Sequence, residues 1–263
     1  RLAVTTQGGK TGLVGGSVPV HDEVILSTTR LNTIEGLDKD TGVVTCGFGL
    51  RGNRISGAPR HRRDVVPHTG AGVVLETLDA YLREYGFVAP LDLGAAGTCT
   101  IGGNLATNAG GVRFVRYGSL RGACVGLEFV KADGTVVDCA RTSLRKDNTG
   151  YALPQLLIGS EGTLGVITKC CIACPSLSPF VNVAWLACHD FDDVRRVLKT
   201  ARSELGEILS AVEFMDQGAM AATRRAHPSI EDPLETDAPF RVLVETAGCH
   251  ETHDAAKLDR FLE

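Results

Sequence analysis

Runs of apolar and β-branched residues bounded by turn residues predict strands in the first two-thirds of this chain. Four such runs stand at 2–5, 24–27, 43–46 and 165–173. Apolar positions at helical spacing predict a helix over about 73–85. Two more strand-like runs, 125–130 and 135–139, flank Asp133-Gly134. Because Asp-Gly readily takes the positive φ angles of a tight turn, these runs predict a β-hairpin.

Helices and strands alternate in the last third of the chain. The predicted order is strand, helix, strand, helix, acidic loop, strand and helix, over 181–186, 191–205, 208–214, 217–226, 231–237, 240–245 and 253–261. This alternation is typical of an open α+β sheet with helices on one face. We therefore expect an α+β protein with a domain boundary between residues 178 and 179.

Composition is that of a globular protein, with 263 residues, 43% hydrophobic and 22% charged. The net charge of −4 argues against a nucleic-acid surface, and no apolar run is long enough for a membrane span. The nine cysteines include Cys171 and Cys174, which have the spacing of half a zinc site. No partner pair follows, so we interpret them as strand cysteines.

Two glycine-dense segments, 7–17 and 94–111, carry the candidate chemistry. Backbone amides can close on a pyrophosphate only where Cβ atoms are missing and φ can turn positive. We expect the two segments to form two walls of one site for a phosphate-bearing cofactor.

Two other nucleotide-binding motifs are excluded. The string Gly9-Lys10-Thr11 imitates the end of a Walker A loop, but Val4 stands where that loop needs its first glycine. The string 47–52 fits G-x-G-x-x-G, yet no helix pattern follows it, as a Rossmann fingerprint requires.

Five motifs agree in sequence and order with one family. Besides the glycine segments they are 116–120, 143–151 and 158–165. On these residues the chain resembles the FAD-linked oxidases of the vanillyl-alcohol oxidase superfamily. The resemblance implies an FAD-binding domain of the PCMH type over 1–178, whose first subdomain would precede Arg1. It also implies the start of a substrate or cap domain over 179–263.

The resemblance implies FAD contacts from three stretches of the chain. The first is Gly8, Gly9, Lys10, Thr11 and Gly12; the second is Pro90, Asp92, Gly97, Thr98, Gly102, Gly103, Thr107, Asn108, Gly110 and Gly111; the third is Glu161, Gly162, Val166 and Ile167. Lys10 stands where the family usually has Asn. No histidine lies in 7–17, so we expect non-covalent FAD.

Structural alternatives remain for several of these residues. The first glycine segment could be a hairpin without a ligand, and Gly102-Gly103 could be a tight helix start. Such a helix start could also present free amides to a phosphate. Arg116 could approach the flavin or form a structural ion pair.

The activity implied for the intact protein is oxidation of D-2-hydroxyglutarate to 2-oxoglutarate in the mitochondrial matrix. Electron-transfer flavoprotein is the implied electron acceptor, and a homodimer the implied assembly. A D-lactate or glycolate dehydrogenase is the alternative within the family, and a non-catalytic flavin-binding remnant or gene-model fragment is the alternative outside it.

No catalytic residue and no metal ligand are assigned in this chain. The family's divalent metal, such as zinc, and its substrate-binding groups would lie beyond Glu263. We therefore expect the chain alone to be inactive.

The segment 47–69 departs from the family pattern. It is rich in Arg and Gly and poor in large apolar residues, which predicts a disordered insert. It could be a basic docking patch or a gene-model artefact.

Overall fold

The computed structural model describes residues 2–46, 70–140 and 146–263. The predicted disordered insert at 47–69 and the first residues of the 143–151 motif lie outside the described residues. The chain divides into two compact units, one of residues 1–111 with 117–177 and one of residues 112–116 with 178–263. Each unit has its own sheet and its own apolar core.

The described part up to residue 177 contains seven strands and five helices. They are β1 (Val4–Gln7), β2 (Val24–Ser27), β3 (Ile34–Asp38), β4 (Val43–Cys46), α1 (Leu75–Arg83), α2 (Ile101–Ala106), α3 (Phe114–Tyr117), α4 (Leu120–Ala123), β5 (Cys124–Val130), β6 (Val136–Asp138), α5 (Pro154–Leu157) and β7 (Val166–Ala173). The strands predicted from apolar runs and the α1 helix are confirmed. Strand β3 and the four-residue helices α3, α4 and α5 were not predicted.

A five-stranded antiparallel sheet of order β3-β4-β7-β5-β6 forms the centre of the first unit. The α1 helix buries Leu75, Leu78 and Leu82, which have the i, i+3, i+7 spacing of one helix face. These leucines belong to the core cluster that also includes Val44 and Ile172 from the sheet. Burial of this apolar surface is the main stabilising contribution to the unit.

The predicted hairpin between β5 and β6 is confirmed. Gly134 has φ of 82°, and the Lys131 amide donates to the Thr135 carbonyl at 2.9 Å. The carboxylate of Asp133 accepts from the Thr135 amide at 2.9 Å. This turn fixes the pairing of Val130 with Val136.

A second sheet of two parallel strands, β1 and β2, pairs Val4 with Val24 through Gln7 with Ser27. The loop from Gly8 to Glu23 that joins them contains the first glycine-dense segment.

The second unit is a three-stranded antiparallel sheet with helices. Its elements are β8 (Phe180–Cys188), α6 (Phe191–Glu204), β9 (Leu209–Asp216), α7 (Gln217–Ala226), β10 (Phe240–Gly248) and α8 (Glu251–Leu262), with strand order β8-β10-β9. Every strand and helix predicted from residue 181 onward is present. Val194 of α6 and Leu258 of α8 share one core cluster with Val244 of β10, so both helices pack on the same face of the sheet.

Two aspartates set the starts of helices in this unit. Asp190 accepts from the Asp193 amide at 2.7 Å and begins α6, and Asp216 accepts from the Ala219 amide at 2.7 Å and begins α7. N-caps of this kind satisfy amides that the helix itself leaves unpaired. Among the helices of the described ranges, none is long and apolar enough to cross a membrane.

Candidate functional site: a glycine-lined surface in the first unit

The two glycine-dense segments, 7–17 and 94–111, contact each other directly. A Cβ atom built on Gly9 would lie 1.9 Å from the carbonyl oxygen of Thr98, and one built on Gly8 would lie 2.4 Å from Oγ1 of Thr100. No side chain fits at either distance, so only glycine allows the β1–β2 loop to lie against residues 98–100. The predicted juxtaposition of the two segments is therefore present in the structure.

The third stretch lies against the same loop. Oε2 of Glu161 would be 3.3 Å from a Cβ atom built on Gly16, and a Cβ atom built on Gly162 would lie 3.8 Å from Oγ1 of Thr6 in β1. The Glu161 amide donates to the carbonyl of Ala106 at 2.9 Å, which ties this turn to the end of α2. Three stretches that are far apart in the sequence thus form one surface, which we call the glycine-lined surface: residues 8–16, 97–111 and 159–162.

Backbone strain is concentrated on the glycine-lined surface. In the described residues, positive φ at a non-glycine residue occurs at Lys10 (57°), Asn108 (52°) and Glu161 (52°), one in each stretch. Such conformations cost free energy for residues with a Cβ atom and cluster at ligand sites. The three residues are all among the predicted FAD contacts.

Close backbone packing explains two further glycines. Gly111 has φ of 70° and pairs with Asp92, and a Cβ atom there would lie 1.9 Å from the carbonyl oxygen of Asp92. A Cβ atom on Gly102 would lie 2.6 Å from Cβ of Ala71. Both glycines therefore have a packing role, whatever ligand the surface binds.

Two amides at the start of α2 are already bonded within the protein. The Ile101 amide donates to Val73 at 2.9 Å, and the Gly102 amide donates to Ala71 at 2.7 Å. These two amides are satisfied within the protein and are not available to a phosphate. The tight helix start at Gly102 is present, and its role in FAD binding stays a prediction.

The remaining predicted contacts differ in exposure. Lys10, Gly12, Gly97, Thr98, Thr107 and Glu161 are exposed, whereas Thr11, Asp92, Gly103, Asn108, Gly110, Gly162 and Val166 are half-buried. Pro90 is buried, and Ile167 belongs to the apolar core. Ile167 thus has a packing role in β7, and its contact with FAD stays a prediction.

Sequence reasoning missed Arg121, which connects two stretches of the surface. Its backbone amide donates to Oδ1 of Asn108 at 3.1 Å, and its guanidinium donates to the carbonyls of Gln155 and Ile158. Ile158 immediately precedes the Gly159–Gly162 turn. Arg121 therefore holds the positions of Asn108 and of this turn together, a relationship that no local motif indicates.

Thr100 is a second residue that the sequence did not single out. It is 4% exposed, and its hydroxyl has no hydrogen-bond partner among the described residues. The hydroxyl lies next to Gly8 and Gly103, where Cβ atoms would be 2.4 and 3.2 Å away. An unpartnered polar atom beside a cradle of glycines is a feature that a bound FAD would fit.

The thiols near the surface are not candidate nucleophiles. Cys99 is buried beneath the second segment, and this burial raises the pKa of its thiol. In the sheet, burial raises the pKa of Cys124 to about 12 and that of Cys171 to about 11. Cys170 and Cys171 lie in β7 and Cys174 directly follows it. No group of three His, Cys, Asp or Glu in the described ranges could hold a metal ion.

The second unit contains a separate cavity of about 360 Å³ between α7 and the acidic loop. Asp232 in its wall accepts from Nε of Arg241 at 2.8 Å and from Nε1 of Trp185 at 3.1 Å. Arg241 also donates to the carbonyls of Thr236 and Ala238. The buried charges of this cavity are thus engaged with one another. Arg116, in the same unit, donates to the carbonyl of Ala247.

Comparison with known families identifies both parts of the chain. The FAD binding domain model matches residues 61–140, and the model of the C-terminal domain of FAD linked oxidases matches residues 177–263. Segments of the chain thus match the FAD binding domain and the C-terminal domain of FAD linked oxidases, the two kinds of domain that the motifs predicted.

Relatives of known function match along the whole chain. It is 53% identical over 262 residues to the mitochondrial D-2-hydroxyglutarate dehydrogenase of Bos taurus and 51% identical to that of Danio rerio. It is 40% identical to the D-2-hydroxyglutarate–pyruvate transhydrogenase DLD3 of Saccharomyces cerevisiae. All of this chain is covered, but only 43%, 44% and 48% of these relatives. The chain thus spans less than half the length of these relatives.

Solved structures support the fold. Two structures of alkyldihydroxyacetonephosphate synthase match 99% of this chain and 46% of their own length, with TM-scores of 0.71 and 0.73. Their identities to this chain are 18% and 17%, so the likeness concerns the fold alone.

Proposed function

We propose that the glycine-lined surface binds FAD non-covalently and that its three stretches contact the cofactor. The observation that carries this proposal is the convergence of the three stretches, each with one strained non-glycine residue. Strain of this kind persists where the surrounding structure enforces it, and it is typical of ligand sites. The FAD binding domain match, over residues 61–140, includes the second of these stretches and supports its part in the assignment.

The roles of the residues follow from their places on the surface. Gly8 to Gly12 offer backbone amides to the pyrophosphate, and the exposed Lys10 adds a positive charge beside its oxygens. Residues 97–111 form the opposite wall, where Asn108 is held in its strained conformation by Arg121. Glu161 and Gly162 close the surface next to Gly16.

The whole protein to which this chain corresponds is proposed to oxidise D-2-hydroxyglutarate to 2-oxoglutarate in mitochondria. The names of the relatives at 53% and 51% identity support this substrate and location. FAD supplies the electron acceptor for such an oxidation, while the protein supplies binding and orientation. Electron-transfer flavoprotein as the next acceptor, a divalent metal and a homodimer are further parts of this proposal, and rest on the family resemblance.

The test of this activity is reduction of the bound flavin under anaerobic conditions. The FAD-loaded whole protein and the 263-residue chain are each mixed with D-2-hydroxyglutarate, with the L enantiomer as control. Loss of the visible absorbance of oxidised flavin with the D enantiomer, in the whole protein, is the expected result. Equal bleaching by both enantiomers, or by D-lactate alone, would contradict the proposed substrate.

A second candidate differs in the electron acceptor rather than in the donor. The Saccharomyces cerevisiae relative is named for transfer between D-2-hydroxyglutarate and pyruvate. Reoxidation of the reduced flavin by pyruvate, without electron-transfer flavoprotein, would identify this activity. The higher identity to the dehydrogenases favours the first candidate.

A further inference from the structure

Thr100 is the last residue before α2 and occupies its N-cap position. Its backbone is extended, with φ of −111° and ψ of 148°, as N-cap residues require. Threonine at this position usually accepts a hydrogen bond from an amide of the first helical turn. Here the side chain makes no such bond, and the Gly102 amide donates to the carbonyl of Ala71 instead.

The Thr100 hydroxyl therefore does not cap the helix, although it is buried beside the start of α2. Thr100 is 4% exposed, and Oγ1 has no partner among the described residues. A buried hydroxyl that loses its hydrogen bonds to water and gains none in the protein destabilises the fold. Such a group is explained if a ligand supplies the missing partner.

The surroundings of this hydroxyl indicate which ligand that is. Gly8 lies on one side of Oγ1 and Gly103 on the other, and a Cβ atom at either would lie within 3.2 Å of it. Both glycines belong to the stretches proposed to contact FAD. Because Gly8 has no Cβ atom, no side chain of this residue stands between Oγ1 and a ligand bound on the β1–β2 loop.

We propose that the Thr100 hydroxyl donates a hydrogen bond to an anionic oxygen of the bound dinucleotide. This inference rests on the proposed function, since it assumes that FAD occupies the glycine-lined surface. It adds a binding residue that only the three-dimensional structure reveals, because the evidence for it is the burial of its hydroxyl between two glycines.

The test compares FAD affinity and stability in variants of the 263-residue chain. Thr100→Val removes the hydroxyl and keeps the shape of the side chain, whereas Thr100→Ser keeps the hydroxyl. We expect Thr100→Val to weaken FAD binding by about tenfold or more, as for loss of a hydrogen bond to a charged group. We expect Thr100→Ser to bind within about twofold of the unmodified chain. The melting temperature of the FAD-free Thr100→Val variant should stay equal or rise, because an unsatisfied hydroxyl is removed.

The matched control is Thr246→Val in the second unit. Thr246 is 0% exposed, and its hydroxyl is likewise unpartnered among the described residues. It lies in β10 and outside the glycine-lined surface, so Thr246→Val should leave FAD affinity unchanged.

The outcomes separate this inference from the proposed function. If the unmodified chain binds FAD and Thr100→Val binds equally well, the role of Thr100 is wrong and the FAD site stands. If the folded unmodified chain binds no FAD, the proposed function itself fails. Should Thr100→Val not fold, Thr100→Ala removes the same hydroxyl with less bulk, and full FAD affinity in that variant would overturn the inference.

Discussion

Gly9 and Thr98 approach so closely that a Cβ atom on Gly9 would lie 1.9 Å from the Thr98 carbonyl oxygen. This contact joins the loop after β1 to the segment before α2. It explains in steric terms why two glycine-dense segments separated by some eighty residues belong to one surface.

Gly9→Ala should move the β1–β2 loop away from residues 98–100. Because the clash is with backbone atoms, rotation of a side chain cannot relieve it. We expect FAD affinity to fall by about tenfold or more, measured by quenching of flavin fluorescence, since the binding surface loses one wall.

The control for this variant is Gly94→Ala. Gly94 lies in the second glycine-dense segment, but a Cβ atom there meets nothing within 4 Å. Its FAD affinity should equal that of the unmodified chain. An equal loss in both variants would show that the effect is not the close approach of Gly9 to Thr98.

Arg121→Met should loosen the glycine-lined surface without touching the ligand. The variant keeps the alkyl stem but loses the guanidinium bonds to the carbonyls of Gln155 and Ile158. We expect FAD affinity to fall by about three- to tenfold, with partial recovery in Arg121→Lys, which retains a donor.

Arg195→Met serves as the comparison, since the Arg195 side chain is exposed on α6 and pairs only with the exposed Asp192 in the described contacts. It should leave FAD affinity unchanged. Equal FAD affinities of Arg121→Met and the unmodified chain would show that Arg121 does not support the FAD site.

Lys10→Asn changes two properties of residue 10 that can be measured separately: its backbone strain and its side-chain charge. Lys10 has φ of 57°, a conformation that asparagine adopts more readily than lysine. We expect the FAD-free variant to be more stable by about 0.5–1 kcal/mol, measured by chemical denaturation.

The same substitution removes a cation that we place near the pyrophosphate. Salt screens such attraction, so the FAD affinity of the unmodified chain should fall more steeply between low and high ionic strength than that of Lys10→Asn. Parallel salt dependences would show that the ammonium does not act on the phosphates.

Asp254 should make the second unit sensitive to acid. The hydrogen bond from Nδ1 of His253, at 3.0 Å, and the amide of His250, at 3.1 Å, hold the pKa of this buried carboxyl below its usual value. A depressed pKa in the folded state stabilises the protein above the unfolded pKa of about 3.9. That contribution is lost as pH falls through the lower folded pKa.

Asp254→Asn should therefore be less stable than the unmodified chain at pH 7, and the difference should shrink as the pH falls towards 3. Urea denaturation at several pH values measures it. A difference that is constant over this range would show that the charge of Asp254 does not stabilise the fold.

The spacing of apolar residues predicted the longer helices and strands, because the residues within these elements carry the pattern. The α1 helix has its apolar residues on one face, and Asp190 and Asp216 mark the starts of α6 and α7. Strand β3 was missed because Gly36 interrupts a run of five residues, and its pairing with β4 stabilises it. The four-residue helices α3, α4 and α5 are too short to show a period.

The candidate site was predictable to the extent that glycine marks it. The glycine strings and the family motifs pointed to the three stretches, and the structure brings them together. Arg121 and Thr100 could not be predicted in this way, because their roles depend on contacts across distant parts of the chain. The hydrogen bond from the Gly102 amide to the carbonyl of Ala71 likewise joins distant parts of the chain and could not be predicted from the sequence.

The most direct test of the central claim is a titration of the folded 263-residue chain with FAD, beside riboflavin, which lacks the pyrophosphate. Isothermal titration calorimetry should show saturable FAD binding with a Kd below about 100 μM and at least tenfold weaker binding of riboflavin. Equal affinities for the two, or no FAD binding by a chain that circular dichroism shows to be folded, would contradict the assignment of the glycine-lined surface as an FAD site.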